Sequence, residues 1–394
     1  MKNGWQTKSL GDVAQIGAGN SAPQGDEFFA NGTHPFFRTS DAGRIRFGDI
    51  HEAADHLNDQ GIKGLRRFPK GTILFPKSGA STFLNHRVML GVEGFVSSHL
   101  ATIVADKNKI DNRFLLYFLT TISAQDMIQD HAYPSLNLPI IAGIRVLVPP
   151  LPEQQRIVGI LDEAFDGIAT AKANAEKNLQ NARALFESHL QSVFTQRGPG
   201  WVEKKMGEVC EVINGGTPKT GVPEYWDGSH LWITPAEMGK RPNPYVSDTE
   251  RKITDLGLRD SSARMLPPNS VILSSRAPIG HLVINTQPMA TNQGCKGLIP
   301  GGQLEHRFLF YYLSSIVDML NSLGTGATFR ELSGSKLKEV TMPVAPLAEQ
   351  QRIAKMLDLL RAETQHLESI YKQKLTALEA LKKSLLHQAF TGKL

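Results

Sequence analysis

The sequence has only two cysteines, Cys210 and Cys295, in 394 residues. That number builds neither a disulfide framework nor a paired-cysteine zinc cluster, and it suits a reducing compartment. No apolar run approaches the length that spans a bilayer, and the Met1-Lys-Asn-Gly-Trp5 start lacks a secretory apolar region. Together these predict a cytoplasmic protein. Catalytic signatures are also scarce. Gly17-Ala-Gly19 is followed by Pro23 and opens no amphipathic helix, so it reads as a glycine turn rather than a dinucleotide fingerprint. Asn243-Pro-Tyr245 is one proline short of an adenine-methyltransferase tetrapeptide and has no glycine-rich cofactor turn before it. There is no Walker A lysine loop. The histidines are scattered, and His99 and His131 read as structural or surface residues. Nothing assembles a nucleophile, a base and an oxyanion site, which predicts a chain without catalysis of its own, and without bound metal or cofactor.

What is present is a duplication. Pro150-Leu-Pro-Glu-Gln-Gln-Arg-Ile157 recurs as Pro346-Leu-Ala-Glu-Gln-Gln-Arg-Ile353, 196 positions later, with one difference. The same offset relates Trp5 to Trp201, Gly11 to Gly207, and Tyr133-x-x-Leu136 to Phe329-x-x-Leu332. Each copy opens a stretch of roughly forty residues without internal proline. A chain this long exceeds one core. The duplication divides it into a first globular unit at 1–149, a long helix at 150–197, a second unit at 198–345 and a second long helix at 346–394.

Within each unit, short apolar segments alternate with glycine, asparagine and proline: Pro35–Phe37, Thr72–Phe75, Val88–Leu90 and Leu100–Val104 in the first. This spacing predicts a β-rich domain with long loops. Asp111 or Asn112 caps a helix expected to run to about Asp130, and its counterpart from Arg307 ends near Gly324. The long helices carry apolar residues at alternating steps of three and four, the pattern of a coiled-coil seam. Ile157, Leu161, Ile168 and Leu179 mark it in the first, and Ile353, Leu357, Leu367 and Leu378 in the second. At ~60 Å each helix is too long to be buried in one small domain. Ala164, Ala171, Ala175 and Ala182 correspond to Leu360, Leu367, Tyr371 and Leu378. Small against large fills space best, so the helices are expected to pair with each other, antiparallel, in one chain. The predicted fold class is α+β: two β-rich α/β domains joined by two long helices in an intramolecular antiparallel coiled coil, a pseudo-two-fold tandem repeat.

The net charge of +5 permits an acidic polymer as partner without demanding one. Both units hold loops that mix glycine with residues able to pair with base edges and phosphates. The candidates are Lys77, Ser78, Asn85, Arg87 and Tyr133 in the first unit. In the second they are Thr217, Lys219, Arg276, Asn292, Gln293, Lys296 and Arg330. Such residue types suit the base edges and phosphates of double-stranded DNA, and each loop is equally what a soluble protein uses for turns.

The doubled Pro-Leu-x-Glu-Gln-Gln-Arg-Ile motif resembles the specificity subunit of type I restriction-modification systems. The second unit adds Gly215-Gly-Thr-Pro218, Pro223-Glu-Tyr-Trp226 and Trp232-Ile-Thr-Pro235, also similar to that family's target-recognition domains. The first unit departs from the pattern, with Gly19-Asn-Ser-Ala22 in place of Gly-Gly-Thr-Pro. The resemblance implies a non-catalytic subunit that reads a bipartite DNA sequence, one half per domain, with the helix pair fixing the unread spacer. It implies two modification (methyltransferase) subunits as partners, using S-adenosylmethionine. Two restriction subunits with ATP-driven translocation and nuclease activity, needing Mg, can join them. Two other readings are a scaffold of paired helices that binds proteins, and a fragment of a DNA methyltransferase.

Overall fold

A computed structural model describes residues 4–128, 130, 132–276, 278–326 and 330–394. His131 and Phe329, both singled out above, lie outside the described residues. The chain forms two compact units, Met1–Ala175 with Gln373–Leu394, and Glu176–Lys372. Each long helix therefore contributes one part of its length to each unit.

The first unit is built on a five-stranded sheet of β1 (Ala14–Ala18), β2 (Phe47–Ile50), β3 (Ile73–Pro76), β4 (Arg87–Leu90) and β5 (Leu100–Ala105). Their order across the sheet is β1-β5-β3-β4-β2. Side chains alternate between faces, so one strand feeds two cores. Ile73 and Phe75 of β3 face the helix α1 (Asn112–Thr120) and the start of the long helix α2 (Leu151–Thr195). Leu74 joins Phe37, Val88 and Leu100 on the other face. A three-stranded sheet, with His34–Phe37 between Asp55–Leu57 and Phe95–Val96, completes the domain. Gln6–Ser9 pairs antiparallel with Arg145–Val148, tying the domain's two ends together before α2 begins.

The second unit repeats this plan. Its sheet is β6 (Cys210–Asn214), β7 (Tyr245–Val246), β8 (Val271–Ser275), β9 (Ile279–Asn285) and β10 (Cys295–Pro300), in the order β6-β10-β8-β9-β7. Val271 and Leu273 pack toward α3 (His306–Ser315) and the second long helix α4 (Leu347–Phe390), while Ile272 and Val283 pack on the opposite face. Val202–Lys205 and Thr341–Val344 form the closing pair.

The repeated motif owes its form to one buried side chain per copy. The Gln154 carboxamide donates to the carbonyls of Pro149 (2.8 Å) and Lys109 (3.0 Å) and accepts from the Asp111 amide (2.7 Å). Gln350 donates to Ala345 (2.7 Å) and Gln303 (2.9 Å) and accepts from Glu305 (2.8 Å). A carboxamide offers two donors and two acceptor lone pairs, which is what this three-way junction uses. Asp111, fixed in this way, caps α1 by accepting from the amides of Arg113 and Phe114. Glu305 does the same for α3 through Phe308. Tyr117 and Tyr311 then donate their hydroxyls to Asp162 and Asp358 on the long helices.

Helix α1 stops at Thr120, ten residues earlier than expected. The hydroxyls of Thr120 and Thr121 take the carbonyls of Tyr117 and Phe118, giving the backbone an alternative to a further helical turn. Its counterpart α3 ends at Ser315, and a separate helix, Val317–Leu323, carries the chain to Gly324.

In both units the long helices pack antiparallel. In the first unit Arg156 reaches the Leu394 carbonyl and Lys172 reaches Glu379, so one residue number rises as the other falls. In the second unit Arg183 pairs with Glu368, and Leu190 shares a core with Ile353 and Leu357. Ile157, Leu161, Ile353 and Leu357 are buried, and Ile168, Leu179 and Leu378 are half-buried along the seam. Leu367 corrects the expectation, being 36% exposed. The seam runs through buried Thr364 and half-buried Glu368 and Tyr371, and Leu367 lies about 100° round the helix from Glu368.

Replacing Gln154 with leucine leaves two carbonyls and one amide without their partner. Each such group costs about 1–3 kcal/mol, so urea denaturation is expected to show a loss of about 3 kcal/mol or more. Gln350→Leu is expected to act equally and independently on the second unit.

Candidate nucleic-acid interface

At one end of the strands in each five-stranded sheet, the same backbone frame carries different side chains. Lys77 donates its amide to the His99 carbonyl and accepts from the Leu136 amide. Ser275 makes the equivalent bonds to Gly294 and Leu332. Ser78 bridges to Ser135 as Arg276 bridges to Glu331. Gly19 donates to Leu100 as Gly215 does to Cys295. The strand registers place Ser97 and Ser98 where the second unit has Asn292 and Gln293, and Ala101 where it has Lys296.

The glycines of this frame serve contact between backbones. A Cβ on Gly19 would lie 2.2 Å from the Ser97 carbonyl oxygen, and one on Gly215 would lie 2.0 Å from that of Asn292. Gly216 admits no Cβ either, its place being 2.2 Å from the Ala263 amide nitrogen. Glycine is what lets the strand end touch the loop beside it. The Gly-Gly-Thr-Pro sequence is thus a packing device that sets the Thr217 hydroxyl against Asn292, which donates to it at 2.9 Å. The Asn292 carboxamide oxygen accepts from the Gly294 amide, so both ends of this side chain are committed.

Around this point the second unit gathers most of its predicted residues. Thr217, Arg276 and Asn292 are half-buried, and Gln293, Lys219 and Arg330 are exposed. Lys296 is buried with its ammonium 3.7 Å from the Glu331 carboxylate, so it orients that carboxylate rather than offering its own charge. An adjoining polar hollow of about 450 Å³ is lined by Asn214, Gly215, Ser262 and the exposed Arg264.

In the first unit Lys77 and Ser78 stand at the matching place, with the Ser78 hydroxyl 2.8 Å from His99 Nδ1. Tyr133 is 82% exposed on the neighbouring loop. Asn85 and Arg87 face elsewhere. The Asn85 side chain accepts from the Ala124 amide. Arg87 is fully buried, its guanidinium 3.6 Å from the centre of the Phe75 ring and donating to the carbonyls of His86 and Ile122. Burial pushes its pKa down to about 9, which still leaves it protonated at neutral pH. Arg87 therefore holds the chain after α1 and does not reach a ligand at the surface. The aromatic residues beside these loops are core too: Phe36, Phe37 and Trp232 are buried, and Arg251 stacks on Trp226 at 3.7 Å.

His99, Ser98, Ser135, Glu331 and Arg264 belong to the two clusters without having been singled out as contacts. The repeat offset of 196 gave no signal for Ser98 and His99, because the strand registers align them with Gln293 and Gly294 at an offset of 195. Neither cysteine takes part. Burial raises the thiols of Cys210 and Cys295 to about 12, which keeps them protonated and inert.

The sequence matches the type I restriction modification DNA specificity domain twice, over residues 2–180 and 199–377. The chain belongs to that family. Among curated members, the type I restriction enzyme MjaIX specificity subunit of Methanocaldococcus jannaschii is 39% identical over 159 residues, covering 40% of this chain and 37% of the relative. The EcoR124I/EcoR124II specificity subunit of Escherichia coli is 29% identical over 265 residues, covering 64% of each. The chain thus spans less than two thirds of the length of either. Among solved structures, a chain from a study of complex assembly and conformational transition of the type I R-M system aligns with a TM-score of 0.79 at 22% identity, covering 100% of this chain and 99% of that one. The HsdS subunit of Thermoanaerobacter tengcongensis aligns at 0.65 and 21%, covering 100% and 98%. Both share the fold: two repeated β-rich domains and two long helices.

The specificity-family fold places Leu282 where the first unit has Arg87, because the register of β4 on β3 matches that of β9 on β8. Arg87→Leu is accordingly expected to fold, but it strips the His86 and Ile122 carbonyls of their donor, so urea denaturation is expected to show a loss of about 1–3 kcal/mol.

Proposed function

We propose that this chain is the DNA-reading subunit of a type I restriction-modification complex, each unit contacting one half of a bipartite duplex sequence. The carrying observation is the pair of equivalent loop clusters, one frame with two sets of side chains. An invariant frame presents residues at a fixed geometry, and changing the residues changes the base edges they accept. Arg276 and Arg330 against Lys77, Ser78 and His99 predict unlike half-sites. Phosphate contacts from Lys219, Arg264 and backbone amides position the duplex without reading it.

In this reading the long helices set the unread spacer between half-sites and dock two modification subunits, which carry S-adenosylmethionine and methylate adenine. Restriction subunits supplying ATP-driven translocation and nuclease activity, with Mg, complete the larger assembly. The chain itself contributes recognition and no catalysis, in the cytoplasm. Among the described residues, no helix is long and apolar enough to cross a membrane.

Selection of random-sequence duplexes on the isolated chain, with a salt titration, tests the proposal. Two half-sites at a fixed spacing are expected; absence of any sequence preference would refute it. Arg276→Ala is expected to weaken binding by about 1–3 kcal/mol and to relax the second half-site alone. Adding four residues to each long helix, ~6 Å of rise, is expected to lengthen the spacer by one or two base pairs and leave both half-sites unchanged.

A further inference from the structure

In the first unit, charge is not evenly matched where the long helices meet the sheet. A cleft of about 240 Å³ opens there, lined by Arg46, Phe47, Phe165, Lys382 and Lys383. Glu379 is the one carboxylate among the described residues that line it, and Lys172 already engages it at 2.7 Å. Among the described residues, none of Arg46, Lys382 and Lys383 has a carboxylate within ion-pair distance. The Lys382 ammonium lies 5.4 Å from the centre of the Phe47 ring and 5.0 Å from that of Phe165. Aromatic faces hold a cation in place without neutralising it, so its N–H donors stay available. Arg46 sits at φ +67° and ψ −47°, backbone that suits glycine and costs an L residue. An exposed side chain that adds nothing to the core is kept there against that cost. Burial, then the guanidiniums of Arg46 and Arg87, hold the neighbouring His86 imidazole below its usual range, in keeping with a positive corner. The second unit lacks the set. The offset of 196 puts Pro242, Phe186 and Glu187 at these places, and the arginines nearby, Arg183 and Arg241, are paired with Glu368 and Glu237. The shared frame therefore folds without the three cations.

The cleft stands at the strand end that carries Lys77 and Ser78. Phe47 pairs with Arg87 and Leu74 with Val88, so Arg46 is level with Pro76, two strands away. Two strand spacings amount to ~10 Å. A major groove ~12 Å wide sets its phosphates about 6 Å to either side of a side chain that reads base edges, and an arginine side chain spans the remainder. We infer that Arg46, Lys382 and Lys383 form a phosphate-binding cleft, in the first unit alone, that grips the backbone of the same duplex whose bases meet Lys77 and Ser78. The long helix α4 thereby takes part in holding DNA, on a surface that reads no base. Three uncompensated cations match a polymer with one negative charge per ~1.7 Å of its axis better than a protein surface, whose contact core is depleted of charge. The inference rests on the reading of this chain as a DNA-reading subunit.

The full chain and a duplex carrying its selected sequence give the test, as affinity across a salt titration. Each phosphate contact contributes about 0.9 to the slope of log K against log salt. Combining Arg46→Gly, Lys382→Gln and Lys383→Gln is expected to reduce that slope by about 2–3. Selected and scrambled duplexes are expected to weaken by the same factor, with the selected sequence unchanged. Lys382→Arg with Lys383→Arg is expected to keep the wild-type slope. Arg46→Gly alone is expected to lower the slope by about 1 without lowering Tm. An unchanged slope in the triple variant overturns the cleft and leaves the specificity reading standing. Should the triple variant instead lose methyltransferase copies in native mass spectrometry at an unchanged slope, the surface belongs to a protein and the inference fails equally. A wild-type chain without sequence preference, whose slope still falls on substitution, overturns the specificity reading and keeps the cleft.

Discussion

A single buried carboxamide in each unit fixes the relation between the β-rich domain and the long helix. Gln154 ties the carbonyls of Pro149 and Lys109 and the amide of Asp111 into one junction, and Gln350 repeats it. Through Asp111 and Glu305 the same junction caps the helix that backs each sheet. A buried polar group of this kind costs free energy unless every bond is made, so it admits one arrangement.

Upon this frame the two units differ where they face outward. Lys77, Ser78 and His99 stand at the strand ends of one sheet and Ser275, Arg276 and Gly294 at those of the other, while the backbone bonds beneath them are the same. Glycines at the strand ends make the frame possible, because backbone touches backbone there. Duplication followed by change at the loops gives two unlike surfaces on one frame, since neither core needs altering.

The two long helices show the complementary case. Their inward residues form one seam, and most outward residues have drifted apart. Charges have even changed sides: Lys172 meets Glu379 in the first unit, and the positions equivalent to these two are Glu368 and Arg183, which pair in the second. Exposed ion pairs contribute little each, which is why their polarity is free to invert.

The duplication, the extent of both long helices, their antiparallel pairing and the strands around Ile73 and Leu100 were all legible in the sequence. Periodicity and a repeat offset are one-dimensional properties, and they survive without coordinates. The end of α1 at Thr120 was not legible, because a side-chain bond to the backbone competes there with a pattern that otherwise continues. Nor was the fate of Arg87, Lys296 and Leu367. Arginine and lysine read as surface charges until packing buries them against Phe75 or beside Glu331, and one residue of rotation moves a leucine from seam to solvent. Residue type and spacing determined the architecture. Only the tertiary structure decided which polar side chains are spent inside the protein and which remain for a partner, because burial depends on neighbours distant in the chain.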